Sequence, residues 1–260
     1  MHKIARFALA ASLYAASALP GLAGTHKPTV VLVHGAFADS SSWNHVVSRL
    51  EKDGYKVLAV ANPLRGVKSD GEYVARVLKQ VEGPVVLVGH SYGGSVISEA
   101  AASSSNVTAL VFVAAFAPEK GESALDLSGK FPGSTLGPAL APPVEQAGGD
   151  QDLYIDQGKF PDQFAADVPI AEARLMAVAQ RPISNAALAE PAPNAAWKTI
   201  PSWFVYGAED KNIPPQTLQW MAERAKSRKT VSIKGGSHVV MISHPGEVTK
   251  LIEQAVSSAK

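Results

Sequence analysis

Short, continuous apolar runs alternate with segments of helical periodicity from residue 29 onward, and no other feature limits the fold as strongly. Runs that are apolar on both faces are typical of parallel strands in a sheet covered by helices on either side. We therefore expect an α/β fold: a mostly parallel sheet of about six strands with helices on both faces. The predicted strands lie at residues 29–33, 57–60, 84–88, 109–114, 202–206 and 230–233.

Four segments beside these runs carry apolar residues at i, i+3, i+4 and i+7, which gives a helix one apolar stripe to lay on a sheet. Ser69 and Glu72 predict a capping box in one of them, and Pro214 and Pro245 suit first helical turns. The stripes lie at residues 43–50, 74–81, 218–225 and 248–255.

The alternation stops between residues 118 and 196. This segment holds 10 of the 18 prolines and only weak helical patterns, at 162–166 and 170–179. A loop of this length is rarely without structure inside a compact domain, so we predict a cap or lid. The expected organisation is an α/β core in two parts, residues 24–117 and 197–260, with the cap at 118–196 inserted between them.

Residues 1–23 have the order of a secretory signal peptide: basic Lys3 and Arg6, an apolar run, and small residues before a cleavage point near Ala23. The apolar run is shorter than the roughly 20 residues of a permanent membrane helix, so no stable membrane anchor is expected. The chain has no cysteine, which excludes disulfides, thiolate metal sites and cysteine nucleophiles. We expect a periplasmic or secreted protein whose fold holds without disulfides.

The charge balance of the chain argues against nucleic acid as a partner. The chain has 24 Lys and Arg against 23 Asp and Glu, a formal charge of +1, and so lacks the basic surplus that nucleic acid requires. The cap segment is acidic, with 11 acidic against 5 basic residues, which disfavours polyanionic substrates. We expect no nucleic-acid partner, and no pattern predicts an oligomeric state.

The strongest local motif is Gly-His-Ser-Tyr-Gly-Gly at residues 89–94, between the predicted strand at 84–88 and a helix-like stretch at 95–102. It matches G-x-S-x-G, in which a serine sits on a sharp strand-to-helix turn and needs small neighbours. We interpret Ser91 as a nucleophile. The alternative is a glycine-rich turn with an incidental serine.

A serine hydroxyl needs a base within hydrogen-bond reach, and that base must be held by a third group. Asp210 follows the fifth predicted strand, and His238 follows the sixth. The chain order Ser91, Asp210, His238 is one in which such a triad occurs. We therefore predict that Ser91, Asp210 and His238 are the catalytic residues.

Each of these residues has a rival nearby. Glu209 adjoins Asp210, and His244 follows His238 by six residues but precedes a proline, which suits a helix start. His34 belongs to the loop after the first strand, and His90 is interpreted as a buried packing residue beside the nucleophile.

Backbone amides aimed at a developing oxyanion stabilise a tetrahedral intermediate, and removing one donor costs about 3 to 4 kcal/mol. One donor is expected from the Tyr92 N–H, directly after the nucleophile. The second is expected from the loop after the first strand, from Ala36 or, as the alternative, from Phe37.

Aromatic residues near these loops predict an apolar substrate pocket under the cap, lined by Phe37, Tyr92 and Phe116. The alternative is that they are ordinary core residues. No cluster of Arg or Lys marks a site for a charged acyl group. Three cap aromatics are expected to join the lining, namely Tyr154, Phe160 and Phe164.

Taken together, these motifs resemble the α/β-hydrolase superfamily over nearly all of residues 28–258. The spacing from His34 to Trp43 and the compact length are similar to the branch of salicylate esterases, hydroxynitrile lyases and pyrethroid-hydrolase-like carboxylesterases. The resemblance implies a Ser-Asp-His hydrolase with a cap between the sixth and seventh strands of the standard sheet, needing no metal and no organic cofactor. Against that standard, the first two antiparallel strands are expected to be missing.

The resemblance implies that a small-molecule carboxylic ester is cleaved through an acyl-enzyme on Ser91. Ser91 argues against epoxide hydrolases and haloalkane dehalogenases, which use an aspartate nucleophile, and against dienelactone hydrolases, which use a cysteine. Hydroxynitrile lyases of this branch usually carry a threonine where Gly35 stands and a lysine where Val239 stands, so both departures favour ester hydrolysis. Because the base must be neutral, activity is expected to fall below pH about 6 to 7.

Three alternatives stay open after this comparison of residues. The first is a hydroxynitrile-lyase-like activity, and the second is a cofactor-free haloperoxidase or perhydrolase activity, which uses the same triad. The third is a non-catalytic ligand-binding protein that keeps the fold and uses the pocket only for a ligand.

Overall fold

A computed structural model describes residues 27–258 of the chain. The predicted signal peptide at residues 1–23 lies outside the described residues, so its cleavage stays a prediction. Within residues 27–258, every helix is too short or too polar to cross a membrane.

Nine strands lie within the described residues and form two sheets. In chain order the strands are β1 (Thr29–Val33), β2 (Val57–Val60), β3 (Val85–His90), β4 (Val107–Val113), β5 (Val144–Glu145), β6 (Gln151–Leu153), β7 (Ile183–Ser184), β8 (Ser202–Gly207) and β9 (Lys229–Ile233). Six of them pair in parallel in the order β2-β1-β3-β4-β8-β9. The predicted α/β fold is confirmed.

Eleven α-helices lie in the same part of the chain. They are α1 (Asn44–Lys52), α2 (Val67–Leu78), α3 (Gly93–Ala102), α4 (Ala124–Ser128), α5 (Leu136–Ala139), α6 (Phe160–Phe164), α7 (Ile170–Ala179), α8 (Asn185–Ala189), α9 (Pro215–Arg224), α10 (Val240–Ser243) and α11 (Pro245–Ser258). The four predicted apolar stripes fall on α1, α2, α9 and α11. Most of their apolar residues are buried, because burial removes apolar surface from water.

The predicted capping box is wrong. Helix α2 begins at Val67, so Ser69 lies inside the helix and makes no cap. The amides at the helix start are satisfied by Asp70 instead, whose carboxylate accepts from the N–H groups of Arg65 (3.1 Å) and Gly66 (3.4 Å). A carboxylate in the first turn also suits the positive end of the helix dipole.

Burial follows the position of each strand in the sheet. The central strands β1 and β3 are buried along their whole length, while the edge strands β2 and β9 are partly exposed. A fully buried Val or Leu side chain stabilises the fold by about 1.5 to 3 kcal/mol, so the unbroken apolar runs account for much of the core.

Between β4 and β8 the chain forms the five helices α4 to α8 and a small antiparallel sheet, β5-β6-β7. The two weak helical patterns correspond to α6 and α7. The small sheet was not predicted, because strands of two or three residues leave no periodicity to read. Arg65 contacts Asp152 at 2.6 Å, and Ser184 N–H donates to Leu64 O at 3.1 Å, so this segment is held to the core.

The strand order locates a cleft. From β1 the chain passes to β2 on one side, and then returns to β3 on the other side of β1. Ligands of open α/β sheets bind at such a reversal, outside the carboxyl ends of the strands. Val33 pairs with Gly89 in the register, so the loops after β1 and β3 start side by side.

Candidate active site

Ser91 occupies a strained turn between β3 and α3. Its φ is 53°, in the left-handed region, where a residue other than glycine costs about 1 to 3 kcal/mol. Its N–H donates to Val113 O (3.2 Å), and its C=O accepts from Phe116 N–H (3.1 Å) and Gly94 N–H (3.0 Å). These bonds hold the turn that the G-x-S-x-G pattern predicts.

The loop after β1 approaches Ser91 closely because residue 35 is glycine. A Cβ at Gly35 would lie 2.6 Å from His90 O and 2.7 Å from Ser91 Cβ. Neither contact is tolerated by real side chains, so only glycine lets the two loops meet here.

His34 fixes the shape of this loop. Its Nδ1 donates to Gly35 O (2.9 Å), and its Nε2 accepts from Asn62 N–H (3.0 Å), while Asn62 Nδ2 donates to His34 O (2.9 Å). Burial lowers the pKa of His34 to about 4, so the ring is neutral at neutral pH, as one donor and one acceptor nitrogen require. Sequence reasoning missed Asn62, since no local motif marks the loop after β2.

Two amides are available as oxyanion donors. Among residues 27–258, the N–H groups of Ala36 and Tyr92 have no acceptor. The N–H of Phe37 donates to Arg181 O at 3.0 Å, so this amide holds the cap, which favours Ala36 over Phe37 as the second predicted donor.

Asp210 and His238 form a buried pair. His238 Nδ1 donates to Asp210 Oδ2 at 2.7 Å, and the two side chains are 1% and 0% exposed. Asp210 Oδ1 accepts from the N–H groups of Asn212 (2.8 Å) and Ile213 (3.0 Å). Three donors therefore satisfy both oxygens of the carboxylate.

The loops after β8 and β9 meet closely enough to form this pair. A Cβ at Gly207 would lie 2.1 Å from Gly236 O, and Glu209 N–H donates to the same oxygen at 3.0 Å. The side chain of Glu209 is exposed, in contrast to that of Asp210. The carboxylate that faces the site is therefore Asp210.

The rival histidines have other contacts. His244 Nδ1 lies 3.0 Å from Ser243 Oγ and 3.3 Å from Asp167. His90 is fully buried, its Nε2 donates to His238 O (3.1 Å), and its ring centroid is 4.8 Å from that of His238. Burial and the neighbouring His238 lower the pKa of His90 well below its usual value, so it packs as a neutral ring that holds the His238 backbone.

Nε2 is the ring nitrogen of His238 that does not bond to Asp210. The atom is fully buried and has no hydrogen-bond partner among residues 27–258, so no bond joins it to Ser91 Oγ. Ser91 directly follows His90, whose ring contacts that of His238. Such nucleophile–base bonds are often long until a substrate is bound.

A cavity of about 360 Å³ opens at the turn and is lined by Ser91, Ala36, Phe37, Tyr92 and Phe116. Small-molecule sites have volumes of about 300 to 1,000 Å³. No charged side chain of the described residues lines it. Its cap side is formed by Leu125, Leu136, Leu140, Leu153 and Leu188.

The expected cap aromatics do not line this cavity. Phe160 and Phe164 are fully buried and pack against each other, with ring centroids 4.8 Å apart. Phe164 also contacts the His238 ring, at 5.1 Å, and so covers the histidine. Tyr154 is likewise absent from the lining. Phe160 and Phe164 belong to the buried core of the cap, because aromatic side chains bury a large apolar area.

Metal ligands are not clustered in the described part of the chain. Within residues 27–258, no group of three or more His, Asp or Glu side chains could hold a metal ion.

The sequence is similar to those of known enzymes over most of their length. An α-hydroxynitrile lyase from Arabidopsis thaliana is 28% identical over 241 residues, which cover 84% of this chain and 93% of that protein. Polyneuridine aldehyde esterase from Rauvolfia serpentina is 25% identical over 254 residues, covering 85% and 93%.

Solved structures show the same fold. A crystal structure of polyneuridine aldehyde esterase superposes with a TM-score of 0.76 at 21% identity, covering 88% of this chain and 98% of that one. A pyrethroid hydrolase from Sphingobium faniae JZ-2 gives a TM-score of 0.69 at 21% identity, covering 89% and 98%.

The resemblance inferred from the motifs is confirmed by these similarities, which include an esterase, a hydroxynitrile lyase and a pyrethroid hydrolase. A sequence model described as the alpha/beta hydrolase family matches residues 30–251, most of the chain. With its parallel sheet and its Ser91 turn, this chain belongs to the α/β-hydrolase family.

Proposed function

We propose that the protein is a serine carboxylesterase that cleaves uncharged carboxylic esters. The observation that carries the proposal is the buried pair of His238 and Asp210, 2.7 Å apart, beside a strained turn that presents Ser91 to an uncharged cavity. A relative named polyneuridine aldehyde esterase supports ester chemistry for this family member.

In the proposed mechanism, Ser91 Oγ attacks the ester carbonyl while His238 Nε2 takes its proton. Asp210 holds the Nδ1–H and stabilises the imidazolium that forms. The amides of Ala36 and Tyr92 donate to the oxyanion, and His238 then protonates the leaving alcohol. Water, activated by the same histidine, hydrolyses the acyl-enzyme and frees Ser91.

The electrostatic setting suits this chemistry. Three N–H groups donate to Asp210 and fix its position against His238. The neighbouring His90 is neutral, so it adds no repulsion to a charged His238. Loss of one oxyanion donor raises the activation free energy by about 3 to 4 kcal/mol. We therefore expect the amides of Ala36 and Tyr92 to account for a large part of the rate enhancement.

The direct test combines turnover with active-site labelling. We expect the protein to hydrolyse a series of 4-nitrophenyl esters and to be labelled by a fluorophosphonate at Ser91. Ser91→Ala abolishes both, while Ser104→Ala, beyond the far end of α3, keeps both. If the unmodified protein neither turns over an ester nor takes the label, it is a ligand-binding protein instead.

A hydroxynitrile lyase activity is the second candidate, because one relative carries that name. Gly35 opposes it: a side chain at this position would contact His90 O at 2.6 Å, so there is no room for the threonine that lyases of this branch carry. Release of cyanide from a cyanohydrin, with simple esters left intact, would favour the lyase. Peroxide-dependent perhydrolysis would appear as a side activity of the same triad.

We also propose export to the periplasm or exterior. The support is the order of basic, apolar and small residues in 1–23. We expect the exported protein to start near Gly24 in N-terminal sequencing. A full-length chain retained in the cytosol would refute this.

A further inference from the structure

Asn212 is held rigidly beside the proposed catalytic acid. The residue is 3% exposed. Its N–H donates to Asp210 Oδ1 (2.8 Å), and its C=O accepts from Ser134 Oγ (2.9 Å). Its side-chain Oδ1 accepts from Gln163 Nε2 (2.7 Å), so backbone and side chain are both fixed.

The direction of the Asn212 amide follows from its neighbour. Gln163 Nε2 also donates to Lys211 O at 3.0 Å, and a carbonyl oxygen can only accept. Gln163 Oε1 accepts from Thr135 Oγ1 at 2.8 Å, which suits the same orientation. The Asn212 atom that faces Gln163 is therefore the oxygen, and Nδ2 points elsewhere.

Nδ2 of Asn212 has two donor hydrogens and no acceptor in the described part of the chain. Unlike the unpaired polar side-chain atoms of the core, Asn212 Nδ2 is not fully buried, so it is in contact with solvent-accessible space. Asn212 lines the cavity that contains Ser91. An oriented donor thus faces a cavity whose other walls are mostly apolar.

The other polar side chains of the cavity do not offer the same group. The hydroxyls of Ser128 and Ser134 donate to backbone carbonyl oxygens, at 2.9 Å each. Asn185 is exposed, so its amide is free to face water. Asn212 is the buried and pre-oriented donor, and pre-orientation is what makes a hydrogen bond selective.

We propose that Asn212 determines specificity by donating a hydrogen bond from Nδ2 to an acceptor oxygen of the substrate outside the scissile ester. The inference rests on the proposed esterase function. The acceptor is a hydroxyl, ether or second carbonyl oxygen on an uncharged acyl or alcohol group. A site built to bond such a group discriminates against the analogue that lacks it, because the donor is then left unpaired.

The test compares esters that differ only in one oxygen. The pairs are 4-nitrophenyl hexanoate with its 4-oxo and 5-oxo analogues, and cyclohexyl acetate with its 4-oxo analogue. For at least one pair we expect kcat/KM to favour the oxygenated ester by about tenfold, the effect of one net hydrogen bond. The ratio of the two kcat/KM values is the readout, since damage to the triad cancels in it.

Three variants separate donation from packing at pH 8. Asn212→Leu removes the donor, and we expect the ratio to fall to about one, the value without a net hydrogen bond. Asn212→Asp keeps an oxygen for Gln163 but places a second oxygen where Nδ2 was, so the ratio falls as well. Asn194→Leu, a matched change at an exposed asparagine, leaves the ratio as it was.

The outcomes are distinguishable. If the wild type hydrolyses esters but no pair shows a preference that Asn212→Leu removes, the inference is wrong and the esterase proposal stands. A preference kept in Asn212→Asp and lost only in Asn212→Leu means that packing, not donation, is responsible, and also overturns it. If no ester is hydrolysed at all, the proposed function itself fails.

Discussion

At the scale of single residues, the site depends on which of two adjacent carboxylates faces the histidine. Asp210 is buried and accepts three hydrogen bonds, whereas Glu209 is exposed. A carboxylate that holds the Nδ1–H selects the tautomer whose Nε2 can accept a proton.

Asp210→Asn is expected to lower kcat by about 10⁴, the effect of the same change in the serine-protease triad, because an amide no longer favours that tautomer. The measurement is kcat for a 4-nitrophenyl ester, with thermal melting to verify the fold. Glu209→Gln is the matched control and retains activity. Equal losses of kcat in the two variants would show that Asp210 is not the acid of the triad.

Gly35→Ala is expected to destabilise the fold by about 1 to 3 kcal/mol and to lower activity, because the added Cβ pushes the loop after β1 away from Ser91. Urea unfolding and kcat are the measurements. Gly246→Ala, where a Cβ meets no atom within 4 Å, is the control and leaves both unchanged or slightly raises stability. Normal activity in Gly35→Ala would mean that the loop tolerates displacement.

At the scale of elements, two helices are joined by one buried hydrogen bond. Tyr92, at the start of α3, donates from its hydroxyl to Asp70 Oδ2 in α2 at 3.0 Å. Burial raises the pKa of Asp70, and the bonds from Tyr92 and the Arg65 and Gly66 amides oppose that rise. The side chain of Tyr92 thereby anchors the turn whose amide is the proposed oxyanion donor.

Tyr92→Phe is expected to destabilise the protein by about 1 to 3 kcal/mol, since it leaves a buried carboxylate oxygen with fewer donors. Activity at saturating ester changes much less, because the backbone N–H of residue 92 remains. Chemical denaturation gives the free energy of unfolding. Tyr73→Phe, a half-exposed tyrosine of α2, is the control, and a loss of equal size there would contradict the assignment.

At the scale of the whole molecule, two buried neutral histidines make the stability of the fold depend on pH. His34 and His90 lie in the core, and burial lowers the pKa of both below the usual value of 6.5, to about 4 for His34. In the unfolded chain both bind a proton near pH 6.5. The unfolded state therefore binds more protons at mildly acidic pH, and stability falls as the pH falls from 6.5 toward 4.

We expect the free energy of unfolding to decrease between pH 6.5 and 4.5 by up to about 1.4 kcal/mol per pH unit for each of these two histidines. Urea unfolding across this range measures the slope. His34→Gln reduces the slope, and His45→Gln, at an exposed histidine, does not. A flat profile in the wild type would show that the buried rings are protonated in the folded state.

Several parts of this molecule were predictable because they depend on local pattern. The six parallel strands and the turn at Ser91 follow from apolar runs and from glycine spacing, which act over a few residues. The short strands of the cap were not predictable, because two or three residues show no periodicity, and the start of α2 at Val67 was missed because Asp70 accepts its hydrogen bonds outside the capping-box pattern. The partner of the Phe37 amide was not predictable, because Arg181 is distant in sequence.

Taken alone, the sequence determined the α/β class and pointed to the edge of the sheet where the proposed chemistry lies, with Ser91, Asp210 and His238 as its candidate residues. It could do so because periodicity and chain order dictate which strand ends meet. Only the tertiary structure decided that Asn62 clamps His34, that Phe37 N–H is taken by Arg181 and that Asn212 presents a free donor. Hydrogen bonds between distant loops have no period, so they exist only once packing has brought the loops together.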